Sequence, residues 1–189
     1  MGIKQHNGNT KADRLAELKI RSPSIQLIKY GAIGLNAIIF SPLLIAADLG
    51  SQNGTTITIS DGDRITGDTA DPSGNLYGVM TPAGNTPGNI NLGNDVTVNV
   101  NDASGYAKGI IIQGKNSSLT ANRLTVDVVG QTSAIGINLI GDYTHADLGT
   151  GSTIKSNDDG IIIGHSSTLT ATQFTIENSN GIGPVSYTH

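Results

Sequence analysis

Short runs in which apolar residues alternate with polar ones recur along much of this 189-residue chain. Alternation with a period of two is typical of a β-strand that is buried on one face only. The clearest runs are TTITIS at 55–60, DVTVNV at 95–100, RLTVDVV at 123–129 and FTIEN at 174–178. Two GIII runs, at 109–112 and 160–163, do not alternate and predict strands that are buried on one face and shielded on the other.

The runs recur in the same order, which predicts a repeating fold. The segment NLGNDVTV at 91–98 returns as DLGTGSTI at 147–154, and SLTA at 118–121 returns as TLTA at 168–171. Such a unit cannot bury its apolar face alone, so it must stack on similar units. The sequence therefore predicts an all-β parallel β-helix over residues 48–183, with the isoleucines in interior ladders. A β-sandwich also places strands at short intervals, but it gives no reason for the long-range repetition.

Four leucines suggest the length of one unit. If each opens a new coil, the coils are about 25 residues long and five or six of them fit after residue 47. These leucines are Leu92, Leu119, Leu148 and Leu169. The last six residues, PVSYTH at 184–189, depart from the pattern, because Pro184 lacks the N–H group that a ladder strand would donate.

The net charge of −4 combines two unlike parts. Residues 1–47 hold six of the eleven basic residues and only two acids, whereas the remainder is strongly acidic. A basic region at 1–30 precedes an uncharged apolar stretch at 31–47, which ends in small residues. This order predicts an extended signal peptide, with helices at 11–20 and through the apolar stretch, cleaved between Ala47 and Asp48. An uncleaved membrane anchor at 31–47 is the alternative.

Few residues offer catalytic chemistry. Enzymes built on β-helices use clustered carboxylates, and the pairs that come closest are Asp61 with Asp63 and Asp158 with Asp159. Each pair adjoins a glycine in a predicted turn, so we interpret all four as turn formers. Of the four histidines, His145 and His165 also fall in predicted turns, and none keeps metal-ligand spacing with a carboxylate. The histidines are His6, His145, His165 and His189.

No motif for a cofactor, a metal or a nucleic acid is present in the sequence. The absence of cysteine excludes disulfides, thiol catalysis and zinc–thiolate sites. The segment GTGS at 149–152 lacks the glycine spacing and the following helix of a phosphate-binding loop. The basic residues after residue 47 are scattered and do not interleave with the tyrosines, so nucleic acid is not an expected partner. Those tyrosines are Tyr77, Tyr106, Tyr143 and Tyr187.

A long basic signal region followed by imperfect Gly/Thr/Asn/Ser-rich repeats resembles the AIDA-type autotransporter adhesins of Gram-negative bacteria. The residues that carry the resemblance are ASGYAKGIII at 103–112, ADLGTGSTI at 146–154 and GIIIGHSSTLTA at 160–171. The family implies a right-handed β-helical passenger domain. It also implies export through the Sec machinery and display at the cell surface by an outer-membrane barrel. Its role would be adhesion, aggregation or biofilm formation, through host-cell or matrix glycans or proteins or through self-association, without catalysis.

The sequence departs from that family in carrying no recognisable translocator barrel, which needs many alternating strands with aromatic girdles. We therefore interpret the chain as an N-terminal passenger fragment of an interrupted, pseudogene-like reading frame. Such a fragment would not function alone and would remain in the periplasm or be degraded. A carbohydrate-active β-helix enzyme, a lyase or hydrolase, is the alternative from another functional class.

Overall fold

A computed structural model describes residues 46–178 and the backbone of Val185 and Ser186. Within this part the chain forms short strands joined by tight turns, and none of it is helical. The strands are β1 Asp48–Leu49, β2 Gln52–Asn53, β3 Thr56–Ile59, β4 Arg64–Gly67, β5 Thr69–Ala70, β6 Leu76–Met80, β7 Asn89–Asn94, β8 Thr97–Asp102, β9 Tyr106–Ile112, β10 Ser118–Asn122, β11 Thr125–Gly130, β12 Ser133–Leu139, β13 His145–Thr150, β14 Thr153–Ser156, β15 Asp159–Ile163, β16 Thr168–Thr172, β17 Thr175–Asn178 and β18 Val185–Ser186.

The strands form three sheets. The first sheet has the order β1-β4-β8-β11-β14-β17, the second β3-β7-β10-β13-β16, and the third β2-β6-β9-β12-β15-β18. Along these paths neighbouring strands run parallel, and only β5 pairs antiparallel, with β6. From β3 onward, each coil contributes one strand to the second sheet, then one to the first and one to the third. The predicted parallel β-helix is therefore confirmed.

Inward-facing residues stack in apolar columns. In the first sheet Val98, Val126 and Ile154 are in register, and all three are fully buried. In the third sheet Ile110, Ile137 and Ile161 form an equivalent column. Burying one such side chain contributes on the order of 1.5–3 kcal/mol, so each column stabilises the stacked coils. The predicted interior ladders of isoleucine are confirmed.

The GIII run at 109–112 is buried on both sides of its strand. Ile110 and Ile112 belong to the main core, whereas Ile111 packs with Tyr77 and Met80 in a separate cluster. All three isoleucines have no exposed surface. The expectation that these strands are shielded on their second face is therefore correct for this run.

Glycines let adjacent coils of the third sheet approach closely. Gly109 and Gly136 lie between residues that pair across β9 and β12. A Cβ atom at Gly109 would collide with the carbonyl oxygen of Gly136, and one at Gly136 with that of Gly160. The repeated glycine before each isoleucine run is thus a packing requirement.

The coil length is less regular than the leucine spacing suggests. Leu119 stacks on Ala146, which stacks on Leu169, whereas Leu92 stacks on Ile59 in a neighbouring column. The four leucines therefore do not mark one repeated position. Measured between in-register partners of the first sheet, successive strands are separated by 16, 33, 28, 28 and 22 residues. The longest coil carries the β5–β6 hairpin, an insertion that the leucine pattern does not reveal.

The predicted helices of residues 11–20 and of most of the apolar stretch lie outside the described part. In residues 46–178 no helix is long and apolar enough to cross a membrane. The sequence of residues 184–189 departs from the repeat pattern. Within this segment, Val185 and Ser186 pair with Ile162 and Ile163 of β15.

Candidate functional site

The outer surface of the second sheet carries two parallel rows of polar side chains, which we call the second-sheet face. Each strand contributes two outward residues that flank one inward apolar residue, and register places them in line from coil to coil. Adjacent members of a row are about 4.8 Å apart, the spacing of neighbouring strands. The first row is Thr56, Asn89, Ser118, His145 and Thr168, and the second is Thr58, Asn91, Thr120, Asp147 and Thr170.

Hydrogen bonds between coils orient part of this face. The Ser118 hydroxyl donates to Asn89 Oδ1 at 2.9 Å, and His145 Nδ1 lies 2.8 Å from Thr168 Oγ1. An open groove of about 310 Å³ crosses β3, β7 and β10 and is lined by side chains of both rows. Asp147 is the one carboxylate in the rows. The face therefore offers closely spaced, mostly uncharged hydrogen-bonding groups.

Tyr143 stands beside this face, two residues before β13 begins. Its side chain is 55% exposed, and Lys115 Nζ lies 5.5 Å from the centre of its ring. Its backbone has φ of 56°, a left-handed conformation that is unusual for a bulky residue. The turns from the third to the second sheet place Asn116 and Ser166 in the same conformation. The turn thus requires a left-handed backbone at this position, but it does not require an aromatic side chain.

The outer surface of the first sheet is different, because it concentrates charge. Its central column runs through Asn99, Asp127, Lys155 and Glu177. Lys155 Nζ lies 2.9 Å from Glu177 Oε2, and this hydrogen bond raises the pKa of Lys155. A groove of about 320 Å³ adjoins these three charged residues. Here one positive and one negative charge are already engaged with each other.

Asp61 and Asp63 are engaged with different hydrogen-bonding partners. Asp61 lies in the turn before β4, where hydrogen bonds from the backbone and side chain of Asn94 lower its pKa. Asp63 is buried, and it accepts hydrogen bonds from the N–H groups of Ala47 and Ser60. Each carboxylate has its own structural partners, as expected for turn formers.

Asp158 and Asp159 also have separate structural roles. The Asp158 carboxylate accepts a hydrogen bond from the Ser133 hydroxyl of the preceding coil. Asp159 begins β15, pairs with Ile135, and its carbonyl oxygen accepts a hydrogen bond from Ser156. The interpretation of this pair as a turn is thus correct for Asp158, while Asp159 already belongs to the strand.

The histidines are dispersed. His145 was expected in a turn, but it is the first residue of β13, because the turn is completed by residues 140–144. His165 does lie in a turn, with Nδ1 3.8 Å from Asp142 Oδ1. His6 and His189 lie outside the described residues. Among residues 46–178, no three His, Cys, Asp or Glu side chains are grouped so as to hold a metal ion.

The structure also shows where the GTGS segment and three of the tyrosines lie. Gly149 and Gly151 of the GTGS segment both have positive φ, and strand β14 rather than a helix follows them. Tyr77 is buried against Ile111, whereas Tyr106 is as exposed as Tyr143; Tyr187 lies outside the described part. The segment at 149–152 thus contains the end of β13 and the turn that leads from the second sheet to the first.

The residues at the predicted cleavage position belong to the folded body. The Ala47 N–H donates to Asp63 Oδ1 at 2.7 Å, and the Ala47 carbonyl oxygen accepts from the Arg64 N–H at 2.8 Å. Asp48 begins β1 and pairs with Arg64. Ala47 thus already makes backbone contacts within the first coil, while the cleavage position stays a prediction.

Comparison with known proteins yields two close relatives. The chain is 97% identical over 183 residues to "Probable autotransporter YcgV" of Escherichia coli strain K12 and to "Putative uncharacterized protein YcgV" of Escherichia coli O157:H7. Each match covers 97% of this chain, but the chain spans only 19% of the first relative and 34% of the second. No protein-family model and no solved structure matches. The predicted resemblance to an autotransporter is therefore confirmed as a similarity to one part of a probable autotransporter, while the passenger position and the adhesin type stay predictions.

Proposed function

We propose that this chain is an exported β-helical passenger segment that binds glycans through the second-sheet face and performs no catalysis. The observation that carries the proposal is the pair of in-register polar rows on the outside of the second sheet. A polysaccharide presents hydroxyl groups at regular intervals. Rows of hydroxyl and amide groups about 4.8 Å apart can meet many of them at once. Each contact is weak, but many together give avidity.

Tyr143 adds an apolar platform at the edge of this face. An exposed aromatic ring has a large flat surface and a polar edge, which suits stacking against a sugar ring. The left-handed backbone is less favourable for tyrosine than for a small polar residue. Neighbouring coils have Asn116 and Ser166 at the equivalent position. Unusual backbone conformations in bulky residues often mark binding sites. We infer that the ring is retained for contact with a ligand.

The autotransporter name of the K12 relative supports export and a location at the cell surface for the intact protein. During export the chain would bind the Sec machinery. At the cell surface its ligands would be host-cell or matrix glycans. Protein ligands and self-association, each of which would also support aggregation or biofilm formation, are the other outcomes to be tested.

The test is binding of the exported full chain to an array of neutral and acidic polysaccharides. Tyr143→Ser should weaken binding about tenfold, equivalent to ~1.4 kcal/mol. Serine is suited to this backbone because Ser166 adopts it one coil later. Tyr106→Ser is the matched control, since Tyr106 is similarly exposed and Ser133 is its partner in the next coil. Equal effects of the two substitutions, or no glycan binding, would contradict the proposal.

The same array distinguishes the enzymatic alternative. Release of new reducing ends or unsaturated sugars from an acidic polysaccharide would show a hydrolase or lyase. The separate structural engagement of Asp61, Asp63 and Asp158 supports the expectation of no turnover.

A further inference from the structure

The buried carboxylate of Asp63 lies directly against the backbone nitrogen of Ala47. Asp63 is only 7% exposed, and its Oδ1 is 2.7 Å from Ala47 N. Its other oxygen, Oδ2, accepts the Ser60 N–H at 3.2 Å. A carboxylate removed from water is stabilised most by a cation held at hydrogen-bonding distance. Here two uncharged backbone N–H groups donate to it.

The nitrogen of Ala47 would become such a cation if the preceding peptide bond were hydrolysed. We propose that export processing cuts between Ala46 and Ala47, and that the new α-ammonium group of Ala47 forms a buried ion pair with Asp63. This inference rests on the proposed export. In the reaction, the oxygen of water bonds to the Ala46 carbonyl carbon and the C–N bond breaks. Ala46 keeps the carboxylate, and the Ala47 nitrogen takes up both protons of the water to become an ammonium group.

This cut preserves the contacts of the first coil. Ala46 supplies the small residue of a signal-peptide cleavage site at the −1 position, with Leu44 at the −3 position. The Ala47 nitrogen stays on Asp63, and the Ala47 carbonyl oxygen still accepts from the Arg64 N–H. A cut one bond later, between Ala47 and Asp48, would remove both interactions. The fold therefore favours Ala47 as the first residue of the processed protein.

Other charged groups lie near the proposed pair. Asp48 follows Ala47, while Asp61 and Arg64 flank Asp63 along the chain. From β8, the contact is the N–H of Thr97, which donates to the Asp63 carbonyl oxygen, and the Thr97 side chain is uncharged. Asp61 is itself engaged with Asn94. Substituting Asp61 thus controls for the general negative field of this region, and substituting Asp63 removes the specific partner.

The first experiment is N-terminal sequencing and intact-mass measurement of the full chain after export from Escherichia coli. The expected first residue is Ala47. A protein beginning at Asp48 or at another processed position would overturn this inference and leave the proposed export intact. An exported protein that keeps residues 1–46 would also overturn this inference, and residues 31–47 would then act as an uncleaved anchor. A chain found only in the cytoplasm would overturn the proposed export.

The second experiment measures the pKa of the new amino group from the pH dependence of its acylation rate. A free α-amino group has a pKa of about 7.7–8.0, and a carboxylate in contact raises it by about one unit or more. Asp63→Asn, which keeps the shape of the side chain, should restore the ordinary value, whereas Asp61→Asn should not. An ordinary value in the unsubstituted protein overturns the inference. The pKa of the Ala47 amino group in the unsubstituted protein therefore tests the ion pair even if Asp63→Asn fails to fold.

Discussion

The third and second sheets belong to the same coils but face different surroundings. In the third sheet, Ile110, Ile111 and Ile112 are buried on both sides of β9. In the second sheet, Leu119 is buried between two outward polar residues, Ser118 and Thr120. The repeated isoleucine runs, which dominate the sequence, are therefore scaffold. The polar positions that vary from coil to coil form the accessible surface, and binding is expected there.

The largest expected effect breaks the scaffold of the third sheet. In Gly136→Ala, the new methyl group would collide with the carbonyl oxygen of Gly160 and with Ile154 Cγ2. Overpacking of this kind costs about 1–3 kcal/mol, and we expect the upper end because one obstacle is backbone. Gly54→Ala is the control, since the nearest atom to its added methyl group is 3.7 Å away. Urea unfolding of both variants measures the difference, and equal stabilities would contradict the close-packing account.

A smaller effect is expected at the hairpin beside the third sheet. Burial raises the pKa of Asp71, but hydrogen bonds from Asn75 and Ser73 outweigh it, and the net pKa is lowered. Lys108 Nζ lies 3.4 Å from Asp71 Oδ2. A lowered folded-state pKa stabilises the protein above the unfolded value of about 3.9, and this contribution is lost as the pH falls through the folded value.

Asp71→Asn should therefore destabilise the protein by about 1–2 kcal/mol at pH 7. The difference from the unsubstituted protein should shrink as the pH falls below about 3.9. Thermal unfolding across this pH range provides the measurement. A difference that is constant with pH would show that the carboxylate charge contributes nothing.

The smallest effect concerns the turn between the second and first sheets. Arg123 binds Asp95 of the preceding coil through two contacts of 2.7 Å, and this hydrogen bond lowers the pKa of Asp95. Both side chains are more than half exposed, so the pair is screened by solvent and salt. Arg123→Asn should lower the melting temperature slightly at low salt and scarcely at 1 M salt, without changing glycan binding. Loss of binding would place the ligand on this turn instead.

Much of the fold could be predicted from the sequence because β-helix stacking requires similar residues in adjacent coils. The recurrence of SLTA and TLTA, for example, corresponds to Leu119, Ala146 and Leu169 in one column. The spacing of the leucines did not predict the number of residues in each coil. Turns and hairpins of different length add residues to a coil without disturbing its core. The prediction that His145 lies in a turn is wrong for a related reason. The polar segment around it contains both the end of a turn and the start of a strand.

The candidate site could be predicted only in part. The sequence indicates outward ladders of polar residues, but assigning Asn91 or Thr120 to a row requires the register between coils. Tyr143 becomes notable only when its turn is aligned with those of Asn116 and Ser166, whose shared positive φ the sequence does not state. The contact of Ala47 with Asp63 spans 16 residues and depends on the closure of the first coil.

The most direct test compares Asn91→Lys on the second-sheet face with Asn99→Lys on the first sheet. Asn91 lies between Thr58 and Thr120 in the second row and lines the groove, whereas Asn99 lies outward on the following strand of the same coil. Binding of each exported variant to the polysaccharide retained by the unsubstituted chain is the measurement. We expect Asn91→Lys to bind at least about tenfold more weakly, or ~1.4 kcal/mol, and Asn99→Lys to change binding little. Unchanged binding by Asn91→Lys, or a larger loss for Asn99→Lys, would contradict the assignment of binding to the second-sheet face.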